Sequence, residues 1–184
     1  MATVYISYYD SINEQKAKSL MAVCADVIAH QNPDRLYFLF SSTGGSVDAG
    51  IALFNYLRAL PVALTMHNTG SVDSIANVVY LAADERFANP NSSFLLHGIK
   101  WGFAQGANLD WAALQETISR FRADEARMSG IISSRTTIRQ DELTTLYREG
   151  NSVGLEFAVA KGLTQAVREA KVPDGAPLVS CNFA

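Results

Sequence analysis

A serine at the start of a helix and a histidine at the end of an apolar strand are the residues of this chain best placed to cleave an acyl bond together. Such hydrolysis needs a nucleophile, a base within hydrogen-bond reach, a group that orients the base, and donors for the oxyanion. Serine is abundant here, so what singles out Ser74 is its setting. Val62-Ala63-Leu64-Thr65-Met66 reads as a strand, Gly70-Ser71-Val72-Asp73 as a tight turn, and Ile75, Val78, Val79, Leu81 and Ala82 recur along a following helix that begins near Ser74. A side chain there lies among unpaired backbone N–H groups at the positive end of the helix dipole, so the N–H of Ile75 could point at a developing oxyanion. A serine that merely caps the helix would look the same. His97 closes the run Phe94-Leu95-Leu96, a position where a lone histidine is more often structural than catalytic. Gly44-Gly45 follows the apolar run Leu36–Phe40, and glycines at the carboxyl end of a strand let backbone N–H groups approach a ligand.

Other chemistries find less support. His30, His67 and His97 form no pair at helical spacing, and Cys24 and Cys181 have no CxxC partner, so neither a metal site nor a cofactor is expected. Both thiols read as reduced cysteines of a cytoplasmic protein, Cys24 as a small core residue of a helix.

The elements that must position these residues alternate. Residues 3–8 are rich in strand formers. Ser11 and Glu14 suggest a capping box ahead of Ala17, Leu20, Met21, Cys24, Val27 and Ile28 at helical spacing, and Asn32-Pro33-Asp34 stops that helix. Leu36–Phe40 is continuous enough to be a strand covered on both faces. Ser46 or Asp48 can cap a helix bearing Ile51, Leu53, Phe54, Leu57 and Leu60, and Pro61 ends it. Arg86-Phe87-Ala88 and Ser93–Leu96 are two further strands. This order predicts an α/β fold with a mostly parallel sheet in one domain, residues 1–184.

After His97 the character changes. Gly98, Gly102 and Gly106 space out a segment, and Asn108 or Asp110 can cap a long helix with Trp111, Leu114, Ile118, Phe121, Met128 and Ile132 on one stripe, interrupted by Glu125. So narrow a stripe suits packing on another helix, from a second subunit or from the same domain. Val172–Pro177 reads as an extended surface tail.

Composition narrows the function classes. The chain has 184 residues, 48% of them hydrophobic and 18% charged, which marks it as globular. A net charge of -3 without a basic stripe argues against nucleic acid as a partner. Neither a signal-peptide pattern nor a run long enough to span a bilayer is present.

Three blocks then combine. Ser42-Thr43-Gly44-Gly45-Ser46-Val47-Asp48-Ala49-Gly50 resembles the Ser-Pro-Gly-Gly-Ser-Val-x-Ala-Gly signature of the proteolytic subunits of Clp proteases. Gly70-Ser71-Val72-Asp73-Ser74-Ile75-Ala76 resembles that family's Gly-Gln-Ala-Ala-Ser-Met-Gly nucleophile turn. Arg86-Phe87-Ala88-Asn89-Pro90-Asn91-Ser92, with Leu96-His97 after it, resembles the family's run before its Ile-His. The likeness runs from Val4 to about Val167. It implies a ClpP/crotonase-like fold of repeated ββα units with a protruding handle helix, the handle region falling at about 98–135. It further implies Ser74 as nucleophile, His97 as general base, and the N–H groups of Gly45 and Ile75 as oxyanion hole. Peptides or unfolded proteins would be the substrate, bound as an extended strand beside residues 44–48 and the glycine-rich segment. A homo-oligomer of one or two seven-membered rings would be the assembly.

Two departures qualify this. Aligned on Ala158-Val159-Ala160-Lys161-Gly162-Leu163, the family's third catalytic residue, an Asp, falls on Gly150, between Glu149 and Asn151. A glycine cannot orient an imidazole, and in a well-studied triad an amide in place of that Asp lowers turnover by about 10⁴. Glu149 is then the first choice for the orienting residue and Asn151 the alternative, with Asp73 ranked below them because a tight turn would point it away; a weak or inactive ring subunit is the remaining reading. The chain also begins almost at its first strand, which argues against coupling to a Clp-family ATPase. From another class, a crotonase-type acyl-CoA enzyme would share the fold but has no need of a Ser–His pair.

Overall fold

Three long strands pair in parallel and organise the molecule. The protein is described here as a computed structural model, covering residues 2–100, 102 and 110–181. β1 (Thr3–Tyr9), β2 (Arg35–Ser42) and β3 (Ala63–Asp73) lie side by side, linked by α1 (Glu14–Gln31) and α2 (Val47–Ala59). The first half of β3 pairs with β4 (Glu85–Ala88) and its second half with β5 (Ser93–Leu95), after α3 (Ala76–Tyr80). Beyond β5 come α4 (Trp111–Arg135), α5 (Gln140–Glu149), β6 (Ser152–Val153), α6 (Leu155–Ala160), β7 (Ala166–Val167) and β8 (Leu178–Ser180). The sheet runs β6-β5-β3-β2-β1-β8, with β4 joining β3 to β7, and every pairing is parallel except β5 with β6. The expected α/β class and mostly parallel sheet are therefore present.

Side-chain alternation decides what the sheet covers. On β2, Leu36, Phe38 and Phe40 are fully buried, whereas Tyr37 and Leu39 are half-buried. The apolar run thus has one face under the helices and one partly open, rather than the two covered faces its composition suggested. Burying each of the three core residues contributes about 1.5–3 kcal/mol relative to exposure. On the open face, His67 is buried and fully engaged: its Nδ1 lies 2.6 Å from the Tyr37 hydroxyl and its Nε2 3.0 Å from the Arg168 carbonyl. Burial holds its pKa below the usual imidazole value.

Several local expectations are corrected. Asn13, not Ser11, caps α1, its side chain accepting from the Lys16 N–H at 2.9 Å, and Ser11 instead joins Asp10 and Lys16. Asn32 ends α1 in a left-handed conformation. Ser46 caps α2, and Asp48 forms ion pairs with Arg120 and Arg127 of α4. Residues 70–73 do not turn: they continue β3, paired with β5 and bonded to Ser41 of β2. Val172–Pro177 is, as expected, a mostly exposed segment without helix or strand, and beyond it Leu178–Ser180 pairs with β1 as an edge strand.

Asp110 caps α4, accepting from the Ala113 N–H at 2.8 Å; Gly106 and Asn108 lie outside the described residues. The helix stripe divides along its length. Met128 and Ile132 are buried against this chain's own core, while Trp111 and Ile118 remain 72% and 43% exposed. The first half therefore projects, as a handle would. Among the described residues, no helix is long and apolar enough to cross a membrane.

Candidate active site

The nucleophile turn owes its shape to the two strands that flank it. β3 ends at Asp73, and the Ser74 N–H extends the ladder by donating to the Leu95 carbonyl at 2.8 Å. Ser74 then adopts φ 58, a left-handed conformation that costs a non-glycine residue roughly 1–2 kcal/mol. Asn77 offsets this. Fully buried, it donates through Nδ2 to the Ser74 carbonyl at 3.0 Å and to the Leu95 carbonyl at 2.9 Å. The helix itself begins at Ala76, so Ser74 occupies the turn ahead of it rather than its first residue. Sequence reasoning missed Asn77, because a polar residue inside an apolar helix pattern shows no partner until the neighbouring strand is placed.

The glycine pair packs directly onto this turn. A Cβ at Gly44 would lie 2.6 Å from the Asp73 carbonyl oxygen, 2.8 Å from Ser74 Cβ and 3.3 Å from the Ile75 nitrogen. A Cβ at Gly45 would lie 2.1 Å from the Ile12 carbonyl oxygen. Both glycines have positive φ, +83 and +145, so their lack of a side chain is required twice over. Neighbouring backbone groups are paired: the Ile12 N–H donates to the Gly44 carbonyl and the Ser46 N–H to the Ile12 carbonyl. Among the described residues the N–H groups of Gly45 and Ile75 donate to no protein acceptor. Two free donors beside one serine are what a developing oxyanion requires.

His97 approaches from the adjacent strand. Asp73 is the register partner of Leu95 on β5, which brings the carboxyl ends of both strands to the same place. His97 is half-buried, and its Nδ1 lies 2.6 Å from the Gly98 carbonyl oxygen. A carbonyl can only accept, so Nδ1 carries a proton, and in the neutral ring this leaves Nε2 as the acceptor a general base needs.

The third position is where the structure is most specific. β5 and β6 pair antiparallel, Leu95 with Ser152, and extending that register sets His97 opposite Gly150. A Cβ at Gly150 would lie 4.0 Å from His97 Cβ, so the two residues are neighbours. Gly150 ends α5 with φ +62. His97 and Gly150 border a cavity of about 620 Å³, lined also by Leu95, Glu125, Tyr147 and Glu149. Glu149 and Asn151 are exposed, and among the described residues no hydrogen bond joins either to His97. Asp73, in contrast, is half-buried. Burial raises its carboxyl pKa, against a hydrogen bond from the Ser71 side chain and the nearby charge of His97, which both lower it. Its interaction with His97 was hidden in the sequence by reading residues 70–73 as a turn.

Known proteins are similar to this chain in sequence and fold. A family model described as Clp protease matches residues 1–171. ATP-dependent Clp protease proteolytic subunit 2 of Pseudomonas aeruginosa is 27% identical over 158 residues, covering 85% of this chain and 76% of the relative. Proteolytic subunit 1 of Chlamydia trachomatis serovar D is 28% identical over 138 residues, covering 72% and 71%. An asparagine-to-aspartate mutant of ClpP1 from Listeria monocytogenes superposes with a TM-score of 0.76 over 92% of both chains at 20% identity, which extends the likeness to the fold. With a match that takes in both glycine and serine blocks, the histidine and the handle, the chain belongs to the Clp protease family.

Proposed function

We propose that the chain is a serine peptidase subunit in which Ser74 attacks the scissile carbonyl and His97 takes up and returns the proton. The observation that carries this reading is the Ser74 turn: a strained serine packed against Gly44, with Gly45 and Ile75 next along the two chain segments to supply backbone N–H donors. In the reaction the Ser74 Oγ–H proton passes to His97 Nε2 as the C–O bond forms. The carbonyl oxygen becomes an oxyanion held by the two N–H groups, and the imidazolium then protonates the leaving amine. Water repeats the sequence on the acyl-enzyme. Each oxyanion donor contributes roughly 3–4 kcal/mol to the transition state.

Peptides or unfolded proteins suit such a site, since strand-like pairing of the substrate backbone beside residues 44–48 would make recognition depend on main chain more than side chains. The exposed apolar half of α4 supports assembly of several copies, a homo-oligomeric ring, in a cytoplasmic setting. Glu149, the carboxylate beside Gly150 that shares the His97 cavity, is proposed as the orienting residue, with Asn151 as alternative. A second reading, a subunit of much reduced activity, is favoured by two observations: the residue beside His97 on the neighbouring strand end is a glycine, and Nδ1 is held by a neutral carbonyl.

Fluorophosphonate labelling followed by peptide mass analysis separates the two. Rapid labelling at Ser74 that disappears in Ser74→Ala and in His97→Ala supports the peptidase. Folded, assembled protein that stays unlabelled supports the second reading.

A further inference from the structure

The Gly98 carbonyl fixes the tautomer of His97 but brings no negative charge, so the imidazolium formed during proton transfer would still lack a counter-ion. The groups that line its cavity are Lys100, Glu125 from α4, and Tyr147, Arg148 and Glu149 from α5. The cations are of the wrong sign, and Glu149 is exposed on the last turn of α5. Glu125 lies beside Gly98, with Oε1 3.8 Å from where a Cβ on Gly98 would be, and no hydrogen bond joins it to His97 among the described residues.

Asp73 reaches His97 from the other side, the sheet. It is the last residue of β3, paired in register with Leu95. Register partners on adjacent strands share a face, so Asp73 and Leu95 point the same way, and His97 follows two residues beyond Leu95, past the end of β5. Val72 and Phe94, which alternate with them, are fully buried in the core. His97 is thus the diagonal neighbour of Asp73, a separation of about 7–8 Å between backbones that side chains readily close. The electrostatic influence of His97 on the Asp73 carboxyl agrees with this placement.

From this register, and resting on the Ser74–His97 reading above, we infer that Asp73 is a positioning residue that supplies the counter-charge for protonated His97 in place of a carboxylate at position 150. Its backbone is held by the β3–β5 ladder, which sets its place beside the strand that leads to His97. Being adjacent to Ser74 in the chain, it moves with the nucleophile and keeps the same geometry throughout the reaction.

Asp73→Asn removes the charge while its amide oxygen can still accept from Ser71. Hydrolysis of an unstructured fluorogenic peptide should fall roughly ten- to a hundredfold in kcat with KM little changed, the range expected for one unit charge at this separation in a partly buried site. The ring signals of His97, assigned against His97→Ala, should titrate at lower pH in Asp73→Asn than in the unmodified protein. Unchanged ring titration overturns the inference, whether or not activity falls, because a merely structural role for Asp73 would leave it in place. Ser74→Ala distinguishes the underlying reading: hydrolysis that survives in Ser74→Ala sinks the serine mechanism, while the His97 titration still decides the role of Asp73.

Discussion

On the nucleophile side of the site every group is held by several contacts, whereas on the base side one imidazole depends on a single carbonyl and faces an open cavity. The turn at Ser74 is fixed by the β3–β5 ladder, by Asn77 and by two glycines that admit no added atom. Across the cavity, Gly150 brings no carboxylate: a Cβ there would lie 4.0 Å from that of His97. The difference teaches which half of a hydrolytic site tolerates drift. An oxyanion hole made of backbone is lost with any change in chain path, so it stays or goes as a unit. The orienting role needs only a charge of the right sign near an imidazole, and several elements can provide it.

The comparison can be broken at either half. The largest effect belongs to Ser74→Ala, which should lower peptide hydrolysis by at least about 10⁴-fold, measured by steady-state turnover. Gly45→Ala comes next. Its methyl would collide with the Ile12 carbonyl, so the loop must shift and turnover should fall about 10²- to 10³-fold, the usual loss for a displaced oxyanion donor. Urea unfolding should show a lower midpoint as well.

On the base side the expected effects are smaller and differ in sign. Glu149→Gln should reduce turnover about tenfold or more if the exposed carboxylate turns in to His97, and unchanged turnover removes it from the mechanism. Gly150→Asp should raise turnover several-fold, by analogy with the weight an aspartate carries in a triad. Its φ of +62 is one that Asp tolerates, and a Cβ there meets nothing closer than 4.0 Å. Reduced turnover in folded Gly150→Asp protein would show that the base half is complete as it stands.

The smallest effect tests the link between the handle and the glycine loop. The guanidinium groups of Arg127 and Arg120 hold the Asp48 carboxyl below the usual carboxylate range. A depressed folded-state pKa adds stability that is present above the ordinary carboxylate range and is lost as pH falls through the folded-state value. Because all three side chains are about half exposed, Asp48→Asn should lower stability by less than about 1 kcal/mol, and less again in high salt. Thermal unfolding at neutral pH and at pH 3 should show the difference between the two proteins shrinking at the lower pH.

The order of elements, the glycine pair, the serine turn and the histidine at a strand end were all legible in sequence. Each is written in local chemistry: positive φ calls for glycine, apolar runs call for buried strands, and proline or asparagine stops a helix. Gly150 could also be located, since it needed only a count from Ala158. What local pattern left open was pairing. Gly70–Asp73 looks like a turn because its residues are small and polar, yet the neighbouring strands β2 and β5 draw it into the sheet. That single change puts Asp73 on β3 in register with Leu95, two residues before His97. The same holds for Asn77, Asp48 and the edge strand at Leu178–Ser180, whose partners lie between 18 and 173 residues away in the chain. Sequence alone was enough to single out Ser74 and His97 as the nucleophile and base proposed here. Only the tertiary structure decided which groups face the imidazole, because that depends on strand register, a property of two segments and not of one.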